Sequence, residues 1–347
     1  MKKGFRNNPA SGRRHQLLAL LMLGLTGISL AAAIFPGAYP IPFDAVLATL
    51  SGQETDATRK IVILDIRLSR ICLSWLIGSG LAASGVVFQG LLRNPLADPF
   101  TLGVSSGGAF GASLAITLGL AGAGSVFGLR ALPMAALAGA LAALAAVVAL
   151  GRIGGQLRRE TLVLAGIVIS TFLSACISLF KALNEESVSA IVFWIMGSLQ
   201  GRSWDHVLLI LPYYLLGCSL MLAFSRELDF LSLGESQARQ LGVATTQVRL
   251  ALLGGAGLVT AAGVAVAGVI GFVGLVVPHM VRLLLGAEHR PLMIYSALLG
   301  GLLLVWSDVA ARVILPGGAE LPVGVITALL GGPFFCFLLR RQQAGHS

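Results

Sequence analysis

The sequence predicts an all-α, polytopic membrane protein of about ten transmembrane helices, with one short helix on its cytoplasmic side. Three observations carry this. Of 347 residues, 56% are hydrophobic and 11% charged, with a mean hydropathy of +0.89, whereas soluble domains carry about 25% charged residues. Uncharged runs long enough for a helix of about 20 residues recur along the whole chain. The 44 glycines suit helices whose backbones approach closely in lipid. One transmembrane domain, 1–347, accommodates everything, with a cytoplasmic tail at 1–15 and a polar cytoplasmic segment at 226–249.

The tail is basic, with Lys2, Lys3, Arg6, Arg13 and Arg14. The charge-free run 17–35 that follows is longer than the core of a secretory signal and is read as an uncleaved first span. Further uncharged runs cover 71–92, 99–129 (its helix starting at Gly103), 131–151, 161–180, 207–225, 291–307 and 321–339. Gly103, Gly107 and Gly111 form a GxxxGxxxG face for close packing on the third span. Stretch 187–201 is uncharged but short. It reads as a re-entrant or interfacial helix, with Trp194 and Trp204 suited to an interface.

Segment 250–281 holds no formal charge and is long for one span and short for two. Gly263, Gly268, Gly271 and Gly274 offer places to turn back. Two spans put 16 of the 24 Lys and Arg on the cytoplasmic side, while one span leaves them nearly even. The positive-inside rule therefore favours two, ten spans in all and both termini inside.

Segment 226–249, RELDFLSLGESQARQLGVATTQVR, is the polar exception in an oily chain. Ser232 with Glu235 reads as a capping box that starts a helix over 233–241. Glu235 and Arg239 stand at i and i+4, where they can pair. Gly242 is placed to end the helix in the left-handed conformation. Such a helix at the mouth of a membrane domain points to a partner.

Several chemistries lack a visible basis. The four lysines stand at 2, 3, 60 and 181, none in a GxxxxGK[ST] loop, so ATP is not bound that way. Cys72, Cys176, Cys218 and Cys336 lie in apolar runs without metal or redox spacing and read as packing residues. The five histidines are dispersed; His279 reads as structural. No catalytic residues or metal ligands stand out. The net charge of +9 is spread over loops and argues for membrane orientation, not nucleic acid. An ion-coupled carrier needs ionisable groups at mid-membrane; Asp308 is the candidate, and Arg312 four residues on can satisfy it. These features together suggest a transport subunit driven by a partner, with an ion-coupled secondary transporter as the alternative.

Several stretches resemble one family, the permease subunits of bacterial ABC importers for iron–siderophores, haem and cobalamin. They are IRLSR at 66–70, RNPLADPFTLGVSSGGAFGA at 93–112, LSLGESQARQLGV at 231–243, GVIGFVGLVVPHMVRL at 268–283, and SDVAAR with ELPVGVITALLGGPFF between 307 and 335. They run in family order from about residue 60 to the C-terminus. The resemblance implies ten helices per subunit in a bacterial inner membrane, paired permeases, most simply a homodimer, two ATPase subunits holding ATP and Mg below, and an extracytoplasmic substrate-binding protein above. The cargo it implies is a metal chelate, iron–siderophore first, then cobalamin or haem.

The resemblance also implies roles. Leu233, Gly234, Glu235, Ser236, Arg239, Gln240, Leu241 and Gly242 are similar to the helix that docks in the ATPase. Asn94, Pro95 and Leu96 match the cytoplasmic gate, a turn whose prolines forbid a continuous helix. The second part of that gate in relatives opens the fifth span with small hydroxyl residues, where this chain has Arg159, Glu160 and Thr161. Arg67, Arg70 and Arg312 resemble the set that docks the binding protein, as exposed arginines at an outer rim; a local pair of Asp65 with Arg67 is the plainer reading. Phe193, Trp194 and Met196 can line an entrance or simply pack.

Overall fold

The computed structural model describes residues 9–37, 39–120 and 130–344, and the side chains of these except 9–19, 153, 337–339 and 341–344. The end of the 99–129 run and much of the basic tail lie outside the described residues.

Helix α1 (Pro9–Ala32) is followed by α2 (Phe43–Leu50) and α3 (Ala57–Lys60). The Asp56 side chain caps α3 by accepting from the Thr58 and Arg59 N–H groups. A π-helical stretch, Ile61–Leu68, runs directly into α4 (Ser69–Leu92), giving one continuous 36-residue helix, Ala57–Leu92. This second span starts well before the expected residue 71. The charges at Arg67 and Arg70 did not end it, because both side chains are buried against polar partners.

Helix α5 (Val104–Thr117) is only 14 residues long, shorter than the apolar run suggested. It packs on α6 (Ala131–Leu150). A Cβ on Gly107 would lie 2.4 Å from the Gly139 carbonyl oxygen, and one on Gly111 2.1 Å from that of Ala135. Two of the three glycines thus serve close packing, while Gly103 caps the helix in the left-handed region (φ +74°).

A two-stranded antiparallel hairpin follows, β1 (Arg152–Ile153) and β2 (Gln156–Leu157). Its tight turn, Gly154-Gly155, takes positive φ at both residues. Then come α7 (Arg159–Leu183), the short α8 (Glu185–Met196) and α9 (Trp204–Ala223), α10 (Ser225–Leu233) and α11 (Glu235–Gln240).

The charge-free 250–281 region divides into α12 (Thr245–Ala267) and α13 (Val273–Leu285). The chain turns through Gly268 (φ +73°), one of the four glycines expected to allow a turn, and Phe272 (φ +67°). Last are α14 (His289–Val313), one 3-10 turn at Pro316–Gly318, and α15 (Val323–Ala344).

Among the described residues, six helices are long and apolar enough to cross a membrane. They divide by burial. The apolar windows of Ala57–Leu92, α12 and α14 are 83%, 78% and 67% buried, whereas those of α7 and α9 are each 22% buried. The centre is held by backbone contact: a Cβ on Gly78 would sit 2.3 Å from the Gly300 oxygen on α14, and one on Gly85 1.9 Å from the Gly274 oxygen on α13. Ser84 donates to the Ala256 carbonyl at 3.1 Å, tying α4 to α12.

Candidate functional site

The polar segment is two helices with a break between them. Helix α10 buries Ser225, Leu228 and Leu231, and its Ser232 hydroxyl donates back to the Asp229 carbonyl at 2.7 Å. The expected capping box is therefore absent. The break falls at Gly234, beyond Ser232, and Gly234 is the N-cap of α11 without a side-chain cap. Its φ of +148° favours glycine, and a Cβ there would lie 1.9 Å from Gln237 Oε1. The expected helix over 233–241 is correspondingly shorter, 235–240, and Leu233 belongs to α10.

The other features of α11 match the sequence. Glu235 and Arg239 pair at 2.5 Å. Gly242 takes φ +83°, its N–H donates to the Arg239 carbonyl at 2.9 Å, and the Val243 N–H donates to that of Ala238 at 3.0 Å. That double closure is a Schellman motif. Ala238 is buried, while Ser236, Arg239, Gln240 and Gly242 are exposed. Leu233 and Leu241 stand 65% and 59% exposed at the two ends, giving the segment an apolar contact surface around a polar centre.

Three attachments hold this segment to the bundle. The Arg93 side chain donates from Nε and Nη2 to the Leu231 carbonyl, at 3.2 and 2.8 Å, tying it to the end of α4. Asp229 Oδ1 accepts from the His289 backbone N–H at 2.9 Å and meets His289 Nδ1 at 2.6 Å, tying it to the start of α14. Arg249 of α12 donates to the Leu157 carbonyl of β2 and lies 3.5 Å from Glu235 Oε2. None of these partners was legible as a pair, since each lies 14 to 138 residues from its mate.

The turn after α4 is built as its two prolines demand. Arg93 takes a left-handed conformation, φ +48°. Asn94 Oδ1 accepts from the Leu96 N–H at 2.9 Å, closing an Asx turn. Asp98 Oδ1 then accepts from the Phe100 N–H, the Thr101 N–H and the Thr101 hydroxyl, at 3.0–3.1 Å. Burial pushes the Asp98 carboxyl above its ordinary pKa, against the opposing pull of those donors. Asn94, Pro95 and Leu96 are exposed. At the start of α7, Arg159 and Glu160 pair at 2.5 Å, and the Thr161 hydroxyl donates to the Gly151 and Arg158 carbonyls at 2.9 and 2.8 Å.

At the opposite end of α4 the three arginines expected at an exposed rim are buried. Arg67, Arg70 and Arg312 are 3%, 4% and 5% exposed. Arg67 donates to the Ile34 and Phe35 carbonyls, both at 2.8 Å, and to that of Tyr39 at 2.5 Å, not to Asp65. Arg70 grips both oxygens of Asp308 at 2.7–2.9 Å and also Glu320 at 2.7 Å. Arg312 reaches Asp308 at 3.3 Å. Asp308 thus belongs mainly to Arg70, on another helix, and not to Arg312 alone. The three arginines are thus not an exposed rim; in this chain they neutralise buried acids and cap backbone carbonyls. Glu320, which completes the cluster, carried no signal of its own.

In α8, Phe193 and Met196 are 63% and 40% exposed, while Trp194 is buried. Only the first two face outward; Trp194 packs inside. Trp204 donates from Nε1 to the Leu64 carbonyl in the π-helical stretch at 3.0 Å.

Residues 25–341 match the FecCD transport family. The chain is 41% identical over 342 residues, 96% of each chain, to the uncharacterized ABC transporter permease protein YvrB of Bacillus subtilis (strain 168). It is 44% identical over 286 residues to the cobalamin import system permease protein BtuC of Halobacterium salinarum, covering 82% of this chain and 75% of that one. Its structure is similar to a chain solved in an inward-facing conformation of a metal-chelate type ABC transporter, with a TM-score of 0.82 and 33% identity over 94% of this chain and 99% of the other.

Proposed function

The chain belongs to the FecCD transport family, and from that premise we propose that it is the membrane-spanning permease of an ATP-binding-cassette importer for a metal chelate. Iron–siderophore is the first cargo, with cobalamin and haem next. The observation that carries the reading is the segment 225–249: two short helices, each end exposing a leucine, pinned at once to α4, α14 and β2. A rigid element so attached transmits a push from a partner into three parts of the bundle.

In this reading the whole chain is one permease domain of ten spans, the six long helices joined by α1, α5, α13 and α15. Both termini and segment 226–249 face the cytoplasm across an inner membrane. Residues 233–236 and 239–242 meet an ATPase subunit, which holds the ATP and Mg; this chain needs no cofactor and catalyses nothing itself. Asn94, Pro95 and Leu96 form the inner gate. A second, identical permease covers the apolar face of α7, where Leu164, Ile167 and Phe172 are 62%, 55% and 63% exposed. An extracytoplasmic binding protein docks at the end that carries Arg67, Arg70 and Arg312, with the arginines shaping that rim from beneath.

The alternative, an ion-coupled carrier, would rely on Asp308. That carboxylate is 0% exposed and gripped by Arg70 and Arg312, which disfavours its protonation cycle. The deciding test is uptake of radiolabelled ferric siderophore, cobalamin and haem into vesicles carrying the chain with its ATPase and binding protein. Uptake that needs ATP supports the importer; uptake by the chain alone, driven by a proton or sodium gradient, rejects it.

A further inference from the structure

Beside the coupling segment, with Glu235 in its wall, lies a polar cavity of about 370 Å³ to which the importer reading assigns no ligand. Its charged lining is Arg93, Arg158, Arg159 and Arg249 with Glu160 and Glu235, four positive groups against two negative. The acids are already engaged: Glu160 pairs with Arg159, and Glu235 pairs first with Arg239. Arg249 is 7% exposed, and its Nε is buried without a hydrogen-bond partner. A buried guanidinium N–H left unpaired is costly unless something fills the site. Burial, and then the nearby charges of Arg159 and Arg249, hold the Arg93 pKa below its ordinary value. The cations therefore repel one another across the cavity.

The backbone adds to this. Residues 158–160 are the N-cap and first turn of the 25-residue α7, and no side chain caps that end. Its free N–H groups and positive dipole end favour an anion. Arginine forks and helix-start N–H groups together make the usual recognition set for a phosphate, and the surplus of two positive charges matches a phosphate dianion. Leu91 and Leu231 form a small apolar wall, and the volume holds a headgroup but not an acyl chain.

We propose that this cavity binds a phosphate group beside α11, and that its occupancy stiffens the junction of α4, α7, α11 and α12. The chemistry is the same for free phosphate and for the headgroup of an anionic phospholipid. Occupancy neutralises cations on three elements, α4, α7 and α12, beside Glu235 of α11, so it links phosphate or lipid supply to the coupling segment. The inference does not depend on the importer reading.

The test uses the full chain purified in detergent. Thermal unfolding is followed in inorganic phosphate against chloride at matched ionic strength, and in nanodiscs of phosphatidylglycerol against phosphatidylcholine. Wild type is compared with Arg249→Gln and with Arg158→Gln; Arg158 is exposed, so its replacement leaves the fold intact even if loss of Arg249 does not. The expected result is a rise in Tm of about 3 °C or more with 20 mM phosphate or with phosphatidylglycerol, cut by at least half in Arg158→Gln. A response to phosphate identifies the free ion, and a response to phosphatidylglycerol alone identifies the lipid. No rise in either arm, or an equal rise in wild type and Arg158→Gln, overturns the proposal.

Discussion

Arg93 Nη2 donates to the Leu231 carbonyl at 2.8 Å, so the residue that ends α4 holds the last turn of α10. The turn assigned to the inner gate begins at the next residue, Asn94. One guanidinium thus joins the proposed gate to the proposed coupling segment. Arg93 does this from a left-handed backbone, φ +48°, a conformation that costs about 1–2 kcal/mol for a non-glycine residue.

Arg93→Gly separates these two roles. It relieves the backbone and removes the guanidinium. Thermal stability in detergent should hold or rise slightly, while ATP-driven uptake in reconstituted vesicles falls by about ten-fold or more. A variant as active as wild type would show that the link carries no coupling.

Asp308 neutralises two buried arginines. Asp308→Ala should cost about 3–5 kcal/mol, because it strands those charges. The readout is a large fall in Tm or loss of the monodisperse peak on gel filtration. A Tm near wild type would mean that water or Glu320 takes over the neutralisation.

The glycines of the bundle are not equivalent. Gly85→Ala puts a methyl 1.9 Å from the Gly274 carbonyl oxygen, whereas Gly254 of α12 has nothing within 4 Å. Gly85→Ala should abolish stable expression, and Gly254→Ala should be neutral or stabilising by roughly 0.5–1 kcal/mol. Equal stability of the two variants would contradict the close α4–α13 contact.

Asp98 gives a pH-dependent test. Its folded pKa lies above the ordinary value of 3.8 because of burial. Folding therefore favours the protonated form, and the wild type loses that advantage as pH rises through the folded pKa. Asp98→Asn keeps the Oδ1 acceptor and stays neutral. It should match or exceed wild-type stability at pH 7, with the gap closing as pH falls. Asp98→Ala loses three accepted bonds and should cost about 1–3 kcal/mol at any pH. A stability order with Asp98→Asn below wild type at pH 7 would reject the stated direction.

What was legible in the sequence was whatever rests on local pattern. Apolar runs located the helices, because lipid leaves helices little alternative. Gly242 and the Glu235–Arg239 pair were readable, since a cap and an i,i+4 pair are set within one turn. The paired prolines at 95 and 99 announced the turn. What failed was long-range. Ser232 fits a capping box in sequence, but the chain breaks two residues later, at Gly234. Arg67 and Arg70 looked like exposed rim charges because Asp308, Glu320 and the carbonyls of 34, 35 and 39 are far away in sequence. The Arg93–Leu231, Asp229–His289 and Arg249–Leu157 links use a carbonyl or a distant acid, and side-chain identity does not signal such partners.

The proposed function turns on the docking of an ATPase at α11. It is tested most directly by affinity purification of the tagged chain from its native membrane, wild type beside Arg239→Glu, with co-purifying proteins identified by mass spectrometry. Arg239 is exposed and, among the described residues, pairs within the segment, with Glu235 and Thr245, so the substitution costs the fold about 0.5 kcal/mol. An ATPase subunit should accompany the wild type and be lost from a stably folded Arg239→Glu. Recovery of the wild type without an ATPase, in membranes where it still transports, would contradict it.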